Sequence, residues 1–328
     1  LEGGDDARRM GAAFLRGDAL NFHIFNRGKQ SVALDLKSEE GRVALSHLLT
    51  QADVFLHNLR PGVAQQLGVD ATTLTQRHPR LIYGEISAYG SAGPLANQPG
   101  YEPLMQAFSG LSSLNGAEGD APIRSATSLC DQGSAMWLVI GMLSLLHRRH
   151  QTGRGGVVQS SLLETAMMWN AQKSDALLNE GKLPERHRSG HPGFVPYEAF
   201  DTADRPLLIC CGNDRLFRKL AQVLGHPEWA DDPRFATNRD RLQHKEALLP
   251  LLNAELHQRN RDEWLQHFEK AGVPAAAVHS LQEALDHPQC QAQHMSVPVP
   301  EDGFKLTALP LRLDGQRPDL AGPAPALG

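Results

Sequence analysis

Apolar and polar positions alternate along the first half of the chain in a way that marks strands separated by helices. In Ser31–Lys37, Val32, Leu34 and Leu36 fall on one side of an extended segment, predicting a half-buried strand. Ser38-Glu39-Glu40 supplies a helix start, and Val43, Leu45, Leu48 and Leu49 recur on the face expected to turn inward. A short strand at Val54–Leu56, a turn at Arg60-Pro61-Gly62, a helix around Val63–Leu67 and a strand at Leu81–Ile86 follow. Gly90–Gly100 reads as loop. Strands alternating with helices predict an α/β fold on a parallel, doubly wound sheet.

The stretch from Pro122 to Glu164 breaks this rhythm. One acidic residue, Asp131, leads into an almost unbroken apolar run from Ala135 to Leu146, closed by His147, Arg148, Arg149 and His150. The pattern predicts a buried helix with a carboxylate at its positive end and cations at its negative end. Gly153 is placed for the left-handed turn past the last helical residue. Asp131 admits two readings. Ser128-Leu129-Cys130-Asp131 fits a capping box, in which the carboxylate only satisfies orphan N–H groups. Alternatively it is a nucleophile. An Asp with a reference pKa of about 3.9 is ionised at neutral pH without a base. The helix terminus would help hold that charge while it attacks an acyl carbon.

Beyond Gly181 the composition shifts. Lys182–Pro196 is charged and carries Gly and Pro, as a linker does. Leu207–Cys211 then reads as a strand, and Asp214–Leu224 as a helix with Leu216, Phe217, Leu220 and Leu224 inward. Helices at Arg241–Leu256 and Asp262–Ala271 and a strand at Ala275–His279 complete a smaller α/β domain. After His287 the chain is proline-rich and aperiodic, like a segment returning across the first domain. The expected divisions are 1–180 for the large domain, 181–205 for the linker, 206–286 for the small domain and 287–328 for the return.

Composition narrows the function classes. The 328 residues carry a net charge of −5 with 41% hydrophobic content, so no basic footprint for nucleic acid is present. An anionic ligand therefore needs a local cationic pocket. Cys130, Cys210, Cys211 and Cys290 form no C-x-x-C pair, which favours a reducing, cytoplasmic compartment. Fifteen histidines occur without H-E-x-x-H or similar spacing, so no metal site is expected. No secretory signal stands out and no uninterrupted apolar run reaches the roughly 18 residues of a span, so no membrane association is expected. The turn Thr152-Gly153-Arg154-Gly155 is not a dinucleotide fingerprint. Val158 stands where the third glycine belongs, and a helix precedes it rather than a strand.

Motifs along nearly the whole chain resemble the family III CoA-transferases, which include formyl-CoA, carnitine and bile-acid CoA-transferases. The similar segments are NRGKQSVALDLKSEEG, NLRPGVAQQLG, PRLIYGEISAYGSAGP, PGYEPLMQAFSG, the D-Q-G at Asp131 and TGRG-x-x-x-x-SLLE. HPGFVPYEAF, GNDRLFRKL, AGVPAA and LPLRLDGQRP follow in the family's order. The resemblance places the catalytic aspartate on Asp131, CoA contacts on Leu34, Lys37, Asn58, Leu59 and Leu162, and substrate-side positions on Tyr101 and Glu102. It implies CoA thioesters and small carboxylic acids as substrates, no tightly bound cofactor, no metal and an interlaced homodimer. It also implies a strand–helix unit ahead of LEGGDDAR and a final helix after PAPALG, hence a longer protein. From the residues alone, Lys37 also fits a solvated strand-end lysine, Asn58 a turn residue, and Glu102 a cap for the helix at Pro103.

Three features depart from the family. Gln66 stands where Arg often contacts a CoA phosphate, and Gly156 and Gln159 replace the usual Gln and Asp. Only Ser189-Gly190-His191-Pro192-Gly193 remains of the glycine flap of oxalate-type enzymes. Two rivals stay open. α-Methylacyl-CoA racemases share the fold but pair the aspartate with a histidine where this chain has Tyr101-Glu102. A CoA-binding homologue without catalysis is the other.

Overall fold

The computed structural model describes residues 3–299, 304–318 and 322–327. They divide into two units, residues 1–46 with 279–328, and residues 47–278.

In the first unit β1 (Phe14–Leu15) and β2 (Asp18–Ala19) form an antiparallel hairpin that runs into α1 (Leu20–Asn26). Buried Arg8 pairs with Asp18 at 2.6 Å and donates to the Pro325 carbonyl at 3.0 Å, joining the two ends of the sequence within this unit. The strand expected at Ser31–Lys37 does not form. Asp35 turns the backbone instead: its carboxylate accepts from Lys37 N at 3.0 Å and its carbonyl from Ser38 N at 3.0 Å. α2 (Glu39–Leu49) starts where its charge pattern places it. Leu49 is buried but Val43 and Leu48 are exposed, so its inward face is narrower than the spacing implies.

The second unit holds two sheets. β3 (Val54–His57), α3 (Val63–Leu67), α4 (Ala71–Arg77), β4 (Ile82–Ser87), α5 (Glu102–Phe108), α6 (Leu129–Thr152) and β5 (Gly156–Ser161) come first. Next are α7 (Leu162–Trp169) and α8 (Ala171–Glu180). The strands form a parallel sheet in the order β3-β4-β5, with Val54 beside Ile82 and Ile82 beside Gly156. This is the parallel sheet of a mixed α/β fold. Ile82 and Tyr83 fill its centre.

α6 is the longest element, 24 residues or roughly 36 Å at 1.5 Å per residue. It packs on β4, β5 and α7 through Cys130, Gly133, Ser134 and Leu138. Gly153 ends it at φ 72°, as its position predicts, donating to Arg149 O at 2.8 Å. The basic end is tied down: Arg149 pairs with Asp53 at 2.7 Å and donates to Arg80 O at 3.0 Å. The expectation of a fully buried helix fails on the outer side, where Met136, Val139, Ile140 and Leu143 are 47–60% exposed. Among the described residues α6 is long and apolar enough to cross a bilayer by length and composition. Packing on β4, β5 and α7 makes it a layer of the α/β fold.

β6 (Tyr197–Phe200), β7 (Leu207–Cys210) and β8 (Ala275–Ala277) form an antiparallel sheet in that order. Between β7 and β8 lie α9 (Asp214–Val223), α10 (Asn238–Gln243), α11 (Lys245–Leu256) and α12 (Arg261–Ala271). Phe217, Leu220, Leu248, Leu252, Trp264 and Phe268 make the core with the sheet. Leu216 is half-buried against it, while Phe217, Leu220 and Leu224 point inward as their spacing predicts.

Back in the first unit, α13 (Leu281–Asp286) and α14 (Pro288–Ala292) precede a hairpin of β9 (Ser296–Pro298) and β10 (Lys305–Thr307). Residues 300–303, 319–321 and 328 of the expected return segment lie outside the described residues, as do residues 1–2.

Candidate active site

The N-terminus of α6 carries the chemistry. Asp131 lies in its first turn, but no capping box forms there. Ser128 is the residue before the helix, yet its side chain makes no cap hydrogen bond. The Asp131 carboxylate likewise has no hydrogen-bond or ion-pair partner among the described residues. The dipole of a long helix favours negative charge at this end. Asp131 is exposed as a residue, yet the protein crowded around its carboxyl pushes it above its ordinary value, first by partial loss of water and second by the charge of Glu102. A carboxylate held this way is more basic than a free one, and no neighbour ties up its lone pairs.

Glu102 reaches this turn from α5. It is buried, and its Oε1 accepts from Gln106 Nε2 at 2.7 Å and from Cys130 N at 3.4 Å. Its carboxylate therefore serves the first turn of α6, not the cap of its own helix. Cys130 is buried between Glu102 and the core, and burial pushes its thiol up to about 12. That disfavours the thiolate at neutral pH, and with it a nucleophilic role. Beneath the turn, Ser134 Oγ bonds Cys130 O at 2.5 Å and Thr165 Oγ1 at 3.0 Å. Trp169 donates to Leu129 O at 3.3 Å.

The other candidate positions are spread over both units. Tyr101 is exposed, just before Glu102 at the start of α5. Leu162 is 8% exposed and packs in one cluster with Met105, Cys130 and Ala166, under the turn that bears Asp131. Asn58 and Leu59 follow β3 at the carboxyl ends of the parallel strands, where open α/β sheets bind ligands. Leu59 lines a cleft of about 400 Å³ there with His57, Arg60, Glu85, Gln159 and Glu164. His57 Nε2 lies 2.5 Å from Oη of the buried Tyr83, and burial lowers the His57 pKa. Leu34 is half-buried and Lys37 exposed, both in the first unit. So the structure brings Glu102 and Leu162 to the turn that bears Asp131, leaves Tyr101 exposed at the start of α5, and sets Asn58 and Leu59 at the sheet's carboxyl edge.

Sequence reasoning passed over Gln106, which is fully buried beside Glu102. The signal was present as Glu102 and Gln106 four residues apart, a spacing that stacks two side chains on one helix face. Among the described residues no group of three His, Cys, Asp or Glu side chains stands close enough to hold a metal ion.

Residues 1–328 match the model of CoA-transferase family III over their whole length. The chain belongs to CoA-transferase family III. It is similar to the acetyl-CoA:oxalate CoA-transferase of Acetobacter aceti, at 36% identity over 95% of this chain and 80% of that protein. The succinate–glutarate CoA-transferase of Agrobacterium fabrum is 32% identical over 97% of this chain and 84% of its own length. A crystal structure of a CAIB/BAIF family protein from Brucella suis superposes with a TM-score of 0.88 at 33% identity. That match covers 99% of this family III chain and 86% of the Brucella chain.

Proposed function

We propose that this family III CoA-transferase moves CoA from an acyl-CoA thioester to a free carboxylic acid through covalent intermediates on Asp131. One observation carries the reading: a carboxylate at the N-terminus of a 24-residue helix, raised in basicity and unused by any cap or ion pair. Asp131 attacks the thioester carbonyl, the C–S bond breaks, and CoA leaves as a thiolate with a mixed anhydride behind it. The thiolate attacks the aspartyl carbonyl of that anhydride and releases the first acid as its carboxylate, giving an aspartyl-CoA thioester. The acceptor carboxylate attacks this thioester and expels the thiolate, forming a second anhydride. Attack of the thiolate on the acceptor's acyl carbon yields the new acyl-CoA and restores Asp131. One thioester is consumed and one is made, so the exchange needs no ATP.

In this proposal Tyr101 and Glu102 bound the acyl group, and Leu34, Lys37, Asn58, Leu59 and Leu162 contact CoA. Lys37 supplies charge for a phosphate. The relatives' names point to small dicarboxylates such as oxalate, succinate and glutarate as the acids. The exposed apolar side of α6 supports a homodimer, because a second copy would cover it. The four free cysteines fit a reducing, cytoplasmic setting. Steady-state assays across a panel of acyl-CoA donors and carboxylate acceptors test the reading. Transfer to a dicarboxylate is expected, and simple thioester hydrolysis with no acceptor-dependent product would refute it.

A further inference from the structure

Gln106 has no part in the chemistry described so far, yet it is the fully buried polar side chain on which this corner of the fold converges. Its Nε2 donates to Glu102 Oε1 at 2.7 Å and shares its other hydrogen between Ser125 O at 3.3 Å and Thr127 O at 3.4 Å. Its Oε1 accepts from Ser125 N at 2.7 Å. The amide has one productive orientation. Turned over, its oxygen would face a carboxylate and two carbonyls, and its nitrogen would face an N–H. Residues 125–127 are the segment that enters α6 just ahead of Asp131.

We propose that Gln106 is a positioning residue for CoA transfer, holding the Glu102 carboxylate against the first turn of α6 and pinning the segment that leads into it. The inference rests on Asp131 being the nucleophile. Glu102 takes a short hydrogen bond from Gln106 Nε2 and longer or weaker ones from the Cys130 N–H and the Cys130 thiol, so without Gln106 it loses its strongest donor and keeps only those of Cys130. A buried carboxylate released in this way seeks another partner and leaves its place beside Asp131. The Glu102 charge is also the second cause of the raised Asp131 carboxyl, so its displacement changes the nucleophile. The cleft at the carboxyl ends of the strands is lined by other residues, which leaves CoA affinity outside Gln106's reach.

Kinetics on the full chain separate this role from general stability. Gln106→Leu, Glu102→Gln and the double variant are compared with wild type, using acetyl-CoA with oxalate and succinyl-CoA with glutarate. Gln106→Leu is expected to lower kcat at least about tenfold with the KM for acyl-CoA within about threefold. In the Glu102→Gln background the same change is expected to add nothing, because Gln106 acts through Glu102. A folded Gln106→Leu enzyme with native kcat, or a loss that multiplies with that of Glu102→Gln, would overturn the inference. If circular dichroism finds Gln106→Leu unfolded, Gln106→Glu is read by the same kinetic criteria. That variant keeps the acceptor for Ser125 but sets a second carboxylate against Glu102. Wild type that uses neither substrate pair and forms no Asp131 adduct overturns the nucleophile reading and this inference with it. Active wild type with unimpaired variants overturns the inference alone.

Discussion

Gly133 lies two residues after Asp131 where α6 crosses α7, and Gly133→Ala sets two effects of opposite sign against each other. Helix propensity alone favours Ala by about 1 kcal/mol. Packing opposes it: a Cβ at 133 would sit 2.6 Å from Thr165 Cγ2 and 3.0 Å from the Trp169 ring. Ordinary carbon contacts begin near 3.5 Å, so the helices must part by about 1 Å. Thr165 cannot swing aside cheaply, because it is buried and its hydroxyl bonds Ser161 O at 2.8 Å and Ser134 Oγ at 3.0 Å. Overpacking of this kind costs about 1–3 kcal/mol, and loss of one buried hydrogen bond adds about 1 kcal/mol. The net expectation is a loss of about 1–3 kcal/mol. Urea unfolding reads it as a lower midpoint at unchanged slope. Ala135→Gly, on the exposed side of the same helix, calibrates the propensity term and should cost about 1 kcal/mol. A displacement near 1 Å in the turn bearing Asp131 should also lower kcat by up to about 100-fold. A Gly133→Ala protein more stable than wild type would refute the packing argument.

Three other outcomes follow from the same geometry. The Asp131 carboxyl lies above its ordinary value of 3.8, so the folded chain holds that proton more tightly than the unfolded chain. The cost of the charge is therefore present at neutral pH and disappears as pH falls through the raised folded value towards 3.8. Asp131→Asn should thus resist urea better than wild type at neutral pH, with the advantage shrinking as pH falls through the raised folded value and gone about one unit below 3.8; an advantage undiminished there contradicts the assignment. Sedimentation should find a dimer, since Met136, Val139, Ile140 and Leu143 leave an apolar stripe uncovered in one copy; a stable monomer at micromolar concentration argues against it. A chiral 2-methylacyl-CoA in heavy water should take up no enzyme-dependent deuterium, because transfer acts at the carbonyl; rapid exchange would favour a racemase.

Local pattern made much of the framework legible. The short runs at 54–57 and 82–87 are legible as strands because Val54, Phe55, Ile82 and Tyr83 favour extended backbone and pair in a parallel sheet whose buried centre is Ile82 and Tyr83. α9 shows its inward face at 3.6-residue spacing because Phe217 and Leu220 pack on a single core. Ser31–Lys37 misled because alternation reports a strand only when a partner strand is present, and the side chain of Asp35 offered the backbone a turn instead. The capping box misled as well: the residue types are right, but the Ser128 side chain makes no cap hydrogen bond, while Glu102 from α5 accepts from the N–H of Cys130 in the same turn. Asp131 was legible as a charge at a helix terminus. Gln106 was not, because its importance comes from Ser125 and Thr127, some twenty residues away in sequence. The outer side of α6 could not be read as uncovered, since an apolar stripe looks alike whether it meets its own chain or a second copy.

The central claim is that Asp131 forms a covalent bond with the acyl group. Incubation with acyl-CoA, quenching and digestion, followed by mass spectrometry, tests it directly. The peptide carrying Asp131 should hold an adduct that hydroxylamine removes, and Asp131→Asn should form none and turn over nothing, because an amide cannot make the anhydride. An active Asp131→Asn protein, or an adduct mapped to Cys130, would contradict the mechanism.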